Sequence, residues 1–337
     1  MLIIRACLHV QFVFMYNKKK EILLDRERKL MSNQKLVNLR IDFAFKQLFG
    51  TSGSEEILLT FLNAMLADSL ESPIQSLQFE DPHLHREHED DKLSILDVSA
   101  TLDTGTKINI EIQLNNNHDI LKRSLFYWSK LYSSQLKKGM PYSSLHKTIT
   151  INLLNFVMFK EYEAFHTTGK LWNMQQEQLL SDDIEIHVVE IPKLLQQWRE
   201  EKVNPWEDSF VRWLLLLPAN EDEHLTHTLE AIAMNQDPIL QKAMDKWEHM
   251  SQDASFRQAY EAREKILMDE AAGIAHALNK GREEGIQEGI QKGLEQGVQQ
   301  GKRQMILGMY RLQVPIETIA QASELTIEEV QKIIEQA

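Results

Sequence analysis

From Leu93 to Leu114 apolar and polar residues alternate, strictly so from Leu96 onward, on both sides of the cluster Asp103-Thr104-Gly105-Thr106. A period of two around turn residues predicts two antiparallel strands joined as a hairpin. On the first strand Leu96, Val98, Ala100 and Leu102 face one way and Asp97, Ser99 and Thr101 the other. On the second, Ile108, Ile110, Ile112 and Leu114 oppose Asn109, Glu111 and Gln113. Two registers bury both apolar rows on one side. If Leu102 pairs with Thr106, Asp97 lies opposite Glu111; in the other register Asp97 faces Gln113 and Glu111 faces Ser99. Opposed side chains have Cβ atoms roughly 5 Å apart and diagonal ones about 7–8 Å, so either register gathers Asp97, Glu111 and Gln113 in one small patch. Taken by itself, such alternation describes an amphipathic hairpin with a solvated polar face.

The pattern before the hairpin is helical. Asp42 to Phe49 carries apolar residues at helical spacing and stops at Gly50, with Asp42 placed as an N-cap. Ser54 is placed to cap a second helix, EEILLTFLNAML, whose Glu55 and Glu56 suit the positive end of the helix dipole. Glu56 is also a candidate third acid for the hairpin patch. The stretch 80–92 is acidic with His83, His85 and His88, but it lacks a defined ligand spacing and reads as a solvated loop. After the hairpin, Ile120 to Lys138 reads as a helix closed by Gly139 and Pro141. Strands follow at Thr148–Phe159 and Ile184–Ile191, the latter ended by Pro192. From Leu194 to about Ala271 the pattern is amphipathic and helical, with Trp198, Trp206 and Trp213 expected in the core.

The C-terminal part has its own period. Glycines recur at 281, 285, 289, 293, 297 and 301, with Ile286, Ile290, Leu294 and Val298 each following one. On a helix, a four-residue period drifts by roughly 40° per step, so the glycine and apolar rows form neighbouring slanted stripes. Interior glycines cost about 1 kcal/mol each relative to alanine, which predicts an offsetting close helix–helix contact, with another chain or with the body of this one; self-association is the expectation carried forward. The alternative is a flexible linker. Met305 to Ile334 reads as three short helices, the second starting at Pro315 and the third capped by Thr326. At the other end, residues 1–30 carry a faintly signal-like apolar run interrupted by His9 and Gln11. No small-residue cleavage site precedes Lys18-Lys19-Lys20, and the segment reads as an extension upstream of a start at Met31.

Composition narrows the function classes. The chain has 337 residues, 43% of them apolar and 26% charged, which fits one large globular domain with appendages. A single cysteine, Cys7, excludes an intramolecular disulfide and points to a reducing compartment, here the cytoplasm. No apolar run reaches membrane-spanning length. The net charge of -13 argues against nonspecific coating of nucleic acid. Its distribution is uneven, however. Residues 120–160 contain no acid, whereas Lys122, Arg123, Lys130, Lys137, Lys138, Lys147 and Lys160 are basic and interleave with Phe126, Tyr127, Trp128 and Tyr132. That segment is where a polyanion would be held. Two carboxylates as close as Asp97 and Glu111 raise each other's pKa unless a cation lies between them. With a carbonyl and waters they form the oxygen shell that Mg²⁺ prefers.

Five segments in order, DFAFKQLFG at 42–50, LLTFLNAML at 58–66, LDVSATLDTGTKINIEIQL at 96–114, FYWSKLYSSQLKKGMPY at 126–142 and VVEIPKL at 188–194, resemble the Rpn family. These recombination-promoting nucleases, also described as putative transposases, fall within the PD-(D/E)XK superfamily. The resemblance spans about residues 36–300. It implies an α/β fold: a restriction-endonuclease-like core, a mixed sheet flanked by helices, over 31–195. A helical region packed on the core would follow over 196–271, then a glycine-repeat helix and small helical tail over 272–337. It further implies a metal-dependent DNA endonuclease that promotes recombination, with Asp97 and Glu111 as the acids around Mg²⁺ or Mn²⁺ and the Ile112 carbonyl as a further ligand. Gln113 stands where the superfamily carries lysine; an amide can orient the attacking water but supplies no charge. Lys122, Arg123 and Lys130 would grip flanking phosphates of DNA. The rival expectation is a catalytically degenerate nuclease fold acting as a DNA- or protein-binding module, and a weaker one is RNA as substrate.

Overall fold

A computed structural model describes residues 35–81, 96–116 and 119–336. The N-terminal extension, the proposed start at Met31 and the loop holding His83, His85 and His88 lie outside the described residues. The chain divides into two units, one ending at Lys265 and the other beginning at Ile266.

The first unit is built on a six-stranded mixed sheet. Its strands are β1 (Leu77–Phe79), β2 (Val98–Leu102), β3 (Lys107–Gln113), β4 (Thr148–Leu154), β5 (His166–Asn173) and β6 (Gln178–Glu190), in the spatial order β1-β2-β3-β4-β6-β5. The central strands β3, β4 and β6 run parallel, while the remaining neighbours are antiparallel. Helix α1 (Asp42–Phe49) and helix α2 (Glu55–Met65) precede the sheet, and α3 (Ile120–Ser133) crosses from β3 to β4. The helices α4 (Ile191–Arg199), α5 (Ser209–Leu215), α6 (Glu223–Gln236) and α7 (Pro238–Gln252) follow it. The restriction-endonuclease-like α/β expectation, with a helical C-terminal region, is what the chain adopts.

Helices cover both faces of the sheet. The end of α1 packs Gly50 against Val98, and Phe49 sits among Phe45, Phe61 and Trp213 at ring separations of 4.8, 5.2 and 6.4 Å. On the other face Ile120 of α3 packs with Leu154 and Val188. Ser99, Asn109 and Glu111 are therefore buried, and the solvated polar face expected of the hairpin is corrected: α3 occupies the space that water would have filled.

Several boundaries differ from expectation for identifiable reasons. β4 ends at Leu154 rather than Phe159, because Glu190 accepts hydrogen bonds from the Met158 and Phe159 amides and holds that segment out of the sheet. β5 was not foreseen, since HTTGKLWN lies on the sheet's edge and shows no apolar alternation. β6 consequently starts at Gln178, its first half pairing only with β5. Pro192 falls within the first turn of α4, where a missing amide proton costs little. Trp213 is fully buried, but Trp198 is half-buried and Trp206 exposed, so two of the three expected core tryptophans lie at the surface. Ile41, not Asp42, occupies the N-cap of α1, whereas Ser54 does occupy the N-cap of α2, its hydroxyl receiving the Lys246 ammonium rather than a first-turn amide.

Helix α8 (Ala254–Arg311) is continuous through all six glycines of the repeat, which removes the linker alternative. Within the second unit the apolar row is left open to solvent, Ile286, Ile290, Leu294 and Val298 being half to two-thirds exposed, and a Cβ built at any of the six glycines meets nothing. The end of α8 joins α9 (Ile316–Ser323) and α10 (Ile327–Glu335) around Ile306, Ile319, Ala320 and Val330. Pro315 precedes α9, and Thr326 with Glu329 forms a reciprocal capping box on α10.

Candidate active site

The site is set by the β2–β3 turn. Gly105 donates to the Leu102 carbonyl and Leu102 to the Thr106 carbonyl, each at 2.9 Å, which closes the loop with Leu102 and Thr106 paired. Gly105 has φ +84°, and a Cβ there would stand 2.6 Å from the His146 ring. Glycine meets both demands at once. The register then runs Ala100 to Ile108 and Val98 to Ile110. Of the two registers the sequence allows, this is the one that sets Asp97 opposite Glu111.

The two acids exchange contacts through the backbone. The Asp97 amide donates to Glu111 Oε1 at 3.3 Å, and the Ile112 amide donates to Asp97 Oδ2 at 2.9 Å. A backbone amide thus orients each carboxylate, that of Asp97 holding Glu111 and that of Ile112 holding Asp97. Glu111 is 3% exposed. Burial first, then the Asp97 charge, pushes its pKa up to about 8, against the opposing pull of Arg123. Burial also raises the Asp97 carboxyl, with Lys46 and the Ile112 amide opposing it.

Two cations flank the pair. From α1, Lys46 Nζ lies 3.2 Å from Asp97 Oδ1. From α3, Arg123 reaches Glu111 Oε2 at 3.7 Å, donates to Gln113 Oε1 at 3.0 Å and to the Tyr127 hydroxyl at 3.4 Å. Ser124 donates to Asn152 Oδ1 at 2.6 Å, and Asn152 donates to the His187 carbonyl, which ties α3 to the sheet behind the acids. Glu111, Gln113, Arg123, Ser124, Tyr127 and Asn152 line a shallow cleft here.

The structure therefore brings together Asp97, Glu111, Gln113 and Arg123, with the Ile112 backbone beside them. Lys122 and Lys130 share α3 with Arg123, Lys122 exposed and Lys130 half-buried. Glu56 is not drawn in. It projects into solvent and pairs with Lys242 at 2.6 Å, and no described contact links it to either acid. Lys46 went unnoticed in the sequence. Its only signal is an oppositely charged i, i+4 pair with Asp42 on a mostly apolar helix, and nothing in the sequence says which strand that face meets.

A divalent cation suits this chemistry. Two buried carboxylates with raised proton affinity gain most from a cation held between them. Among the described residues no cluster of three or more His, Cys, Asp or Glu forms a metal cage. Ligands beyond the two acids would have to be a carbonyl and waters, as hard divalent cations accept. No curated protein and no solved structure matches the chain. A family model, PD-(D/E)XK nuclease family transposase, matches residues 39–277, a span that holds α1, the whole sheet and both acids. The chain belongs to this nuclease family, whose chemistry is phosphodiester hydrolysis and whose members typically use divalent metal ions.

Proposed function

We propose that the protein is a metal-dependent DNA endonuclease whose cuts promote recombination. The observation that carries this reading is the direct opposition of Asp97 and Glu111, each oriented by a backbone amide beside the other. Asp97, Glu111 and the Ile112 carbonyl would hold Mg²⁺ or Mn²⁺. When bound, such an ion lowers the pKa of a coordinated water and neutralises charge developing on the phosphate.

The chain's own groups do the rest. Gln113 accepts from Arg123 through Oε1, so its amide NH₂ is aimed away and available to orient a water or a phosphate oxygen. Lys46, 3.2 Å from Asp97, supplies from α1 the positive charge that position 113 lacks. Arg123 offers a planar fork that can move from Gln113 to a phosphate, with Lys122 and Lys130 holding backbone phosphates on either side. Glu56 has no part in this scheme. The lone Cys7 suits a reducing compartment, so the DNA acted on would be that of the cytoplasm. The open glycine and apolar stripes of α8 support a homo-oligomer. Light scattering on a chain ending at Lys280 tests that part: a lower multiple of the chain mass is expected, and an unchanged multiple removes the idea.

One feature favours a second reading, a degenerate nuclease fold that binds without cutting. Lys46 and Arg123 each already place a positive charge beside one of the acids, where a metal ion would otherwise supply it. Calorimetric titration with Mg²⁺ and Mn²⁺ separates the two. Saturable binding that is lost in Asp97→Asn supports the enzyme; folded protein that binds neither ion favours the module.

A further inference from the structure

The charged row does not end at the acid pair. Asp42 and Lys46 lie one turn apart on α1, and while Lys46 faces Asp97, Asp42 is gripped by Arg263. Arg263 Nε stands 3.0 and 3.2 Å from the two Asp42 oxygens, and Nη2 stands 2.7 Å from Oδ2. This is a bidentate, charge-assisted pair of the strong kind. Asp42 is near enough for its charge to act on Asp97. The groups thus alternate in sign from Arg263 through Asp42, Lys46 and Asp97, and the Glu111 carboxyl then meets Arg123.

Arg263 is delivered by a firmly anchored segment. It sits in the first turns of α8, where Phe256 stacks on Phe43 at 5.0 Å and the buried Tyr260 hydroxyl accepts from the Asn38 amide at 3.1 Å. Arg257 donates to the Lys35 and Ser251 carbonyls, both at 2.9 Å. These contacts are independent of the Arg263 guanidinium, which is itself about one-third exposed. Removing its charge leaves the anchoring intact.

We propose that Arg263 is a positioning residue for the acid pair: by neutralising Asp42 it sets how tightly Asp97 and Glu111 hold a divalent cation, so the root of the long helix tunes the site. With Arg263 in place, Asp42 contributes little net charge to a cation at the pair. Without it, an unpaired carboxylate a short distance away adds to the attraction. The inference rests on the nuclease reading of Asp97 and Glu111.

The test is Mn²⁺ titration of the full chain followed by electron paramagnetic resonance, with melting temperature recorded alongside. Arg263→Gln is expected to tighten Mn²⁺ binding on the order of tenfold, as one uncompensated charge at this range would. Arg263→Lys, which keeps the charge, should bind as the parent does. Asp42→Asn should weaken binding several-fold, and the double variant Asp42→Asn with Arg263→Gln should return close to the parent. Equal affinities in the parent and Arg263→Gln would overturn the proposal, as would a loss of melting temperature in Arg263→Gln without any change in affinity. Asp97→Asn keeps the two ideas apart. If it weakens Mn²⁺ while Arg263→Gln changes nothing, the positioning role fails and the metal site stands. If no variant and no parent protein binds Mn²⁺, the metal reading itself fails and the proposal with it.

Discussion

Replacing Glu111 by glutamine should stabilise the metal-free protein at alkaline pH, although it removes a group proposed for catalysis. Glutamine keeps the shape of the side chain and an oxygen to accept from the Asp97 amide. What it removes is a carboxyl that folding moves from 4.5 to about 8. Because the folded-state value is raised, the folded protein binds the proton more tightly than the unfolded chain. Stability is then full below about 4.5 and is lost as pH rises through about 8. A shift of that size corresponds to about 5 kcal/mol at 1.36 kcal/mol per pH unit. Because Glu111 and Asp97 titrate together, that figure is the ceiling for the difference between the two proteins. Urea unfolding in EDTA between pH 5 and 9 should show the parent losing more stability than Glu111→Gln, which keeps only the smaller pH dependence of its remaining groups, Asp97 among them. The two proteins should agree at the acid end. Parallel pH profiles, or a Glu111→Gln protein less stable at pH 8, would refute the argument that this carboxyl is buried and repelled by Asp97.

Other outcomes follow from the same geometry. Lys46→Met keeps the apolar stem and removes the charge, so DNA cleavage should fall about 100-fold while calorimetric Mn²⁺ binding survives; cleavage at the parent rate would leave Lys46 without a role. Trp213→Ala empties a fully buried site against Phe49 and should cost about 3–5 kcal/mol in urea unfolding. Trp206→Ala, at an exposed position, should cost under about 1 kcal/mol.

The hairpin was the most legible part of the chain because its signal is local. Strict alternation around Asp103-Thr104-Gly105-Thr106 determines which residues share a face, and both permitted registers gather Asp97, Glu111 and Gln113. What the alternation does not encode is what covers that face. Asn109, Ser99 and Glu111 are buried because α3 returns across the sheet, an arrangement set by packing over long sequence distances. Lys46 was hidden for the same reason: its partner lies far along the chain and the pairing exists only once α1 docks. The edge strand β5 escaped detection because one of its sides and most of its side chains stay in solvent, so no apolar period is required of it. Glu56 illustrates the converse. A carboxylate at a helix start satisfies the helix dipole wherever the helix points, so its presence carries no information about the acid pair.

The central claim is that Asp97 and Glu111 form the hydrolytic centre, and cleavage of supercoiled plasmid in Mg²⁺ or Mn²⁺ tests it most directly. Parent protein, Glu111→Ala and Glu56→Ala would be compared side by side, with EDTA as the metal-free control. Nicking or linearisation by the parent and by Glu56→Ala, abolished by EDTA and by Glu111→Ala, is the predicted result. Cleavage by Glu111→Ala at the parent rate, or no cleavage by folded parent protein with either metal, would contradict the account.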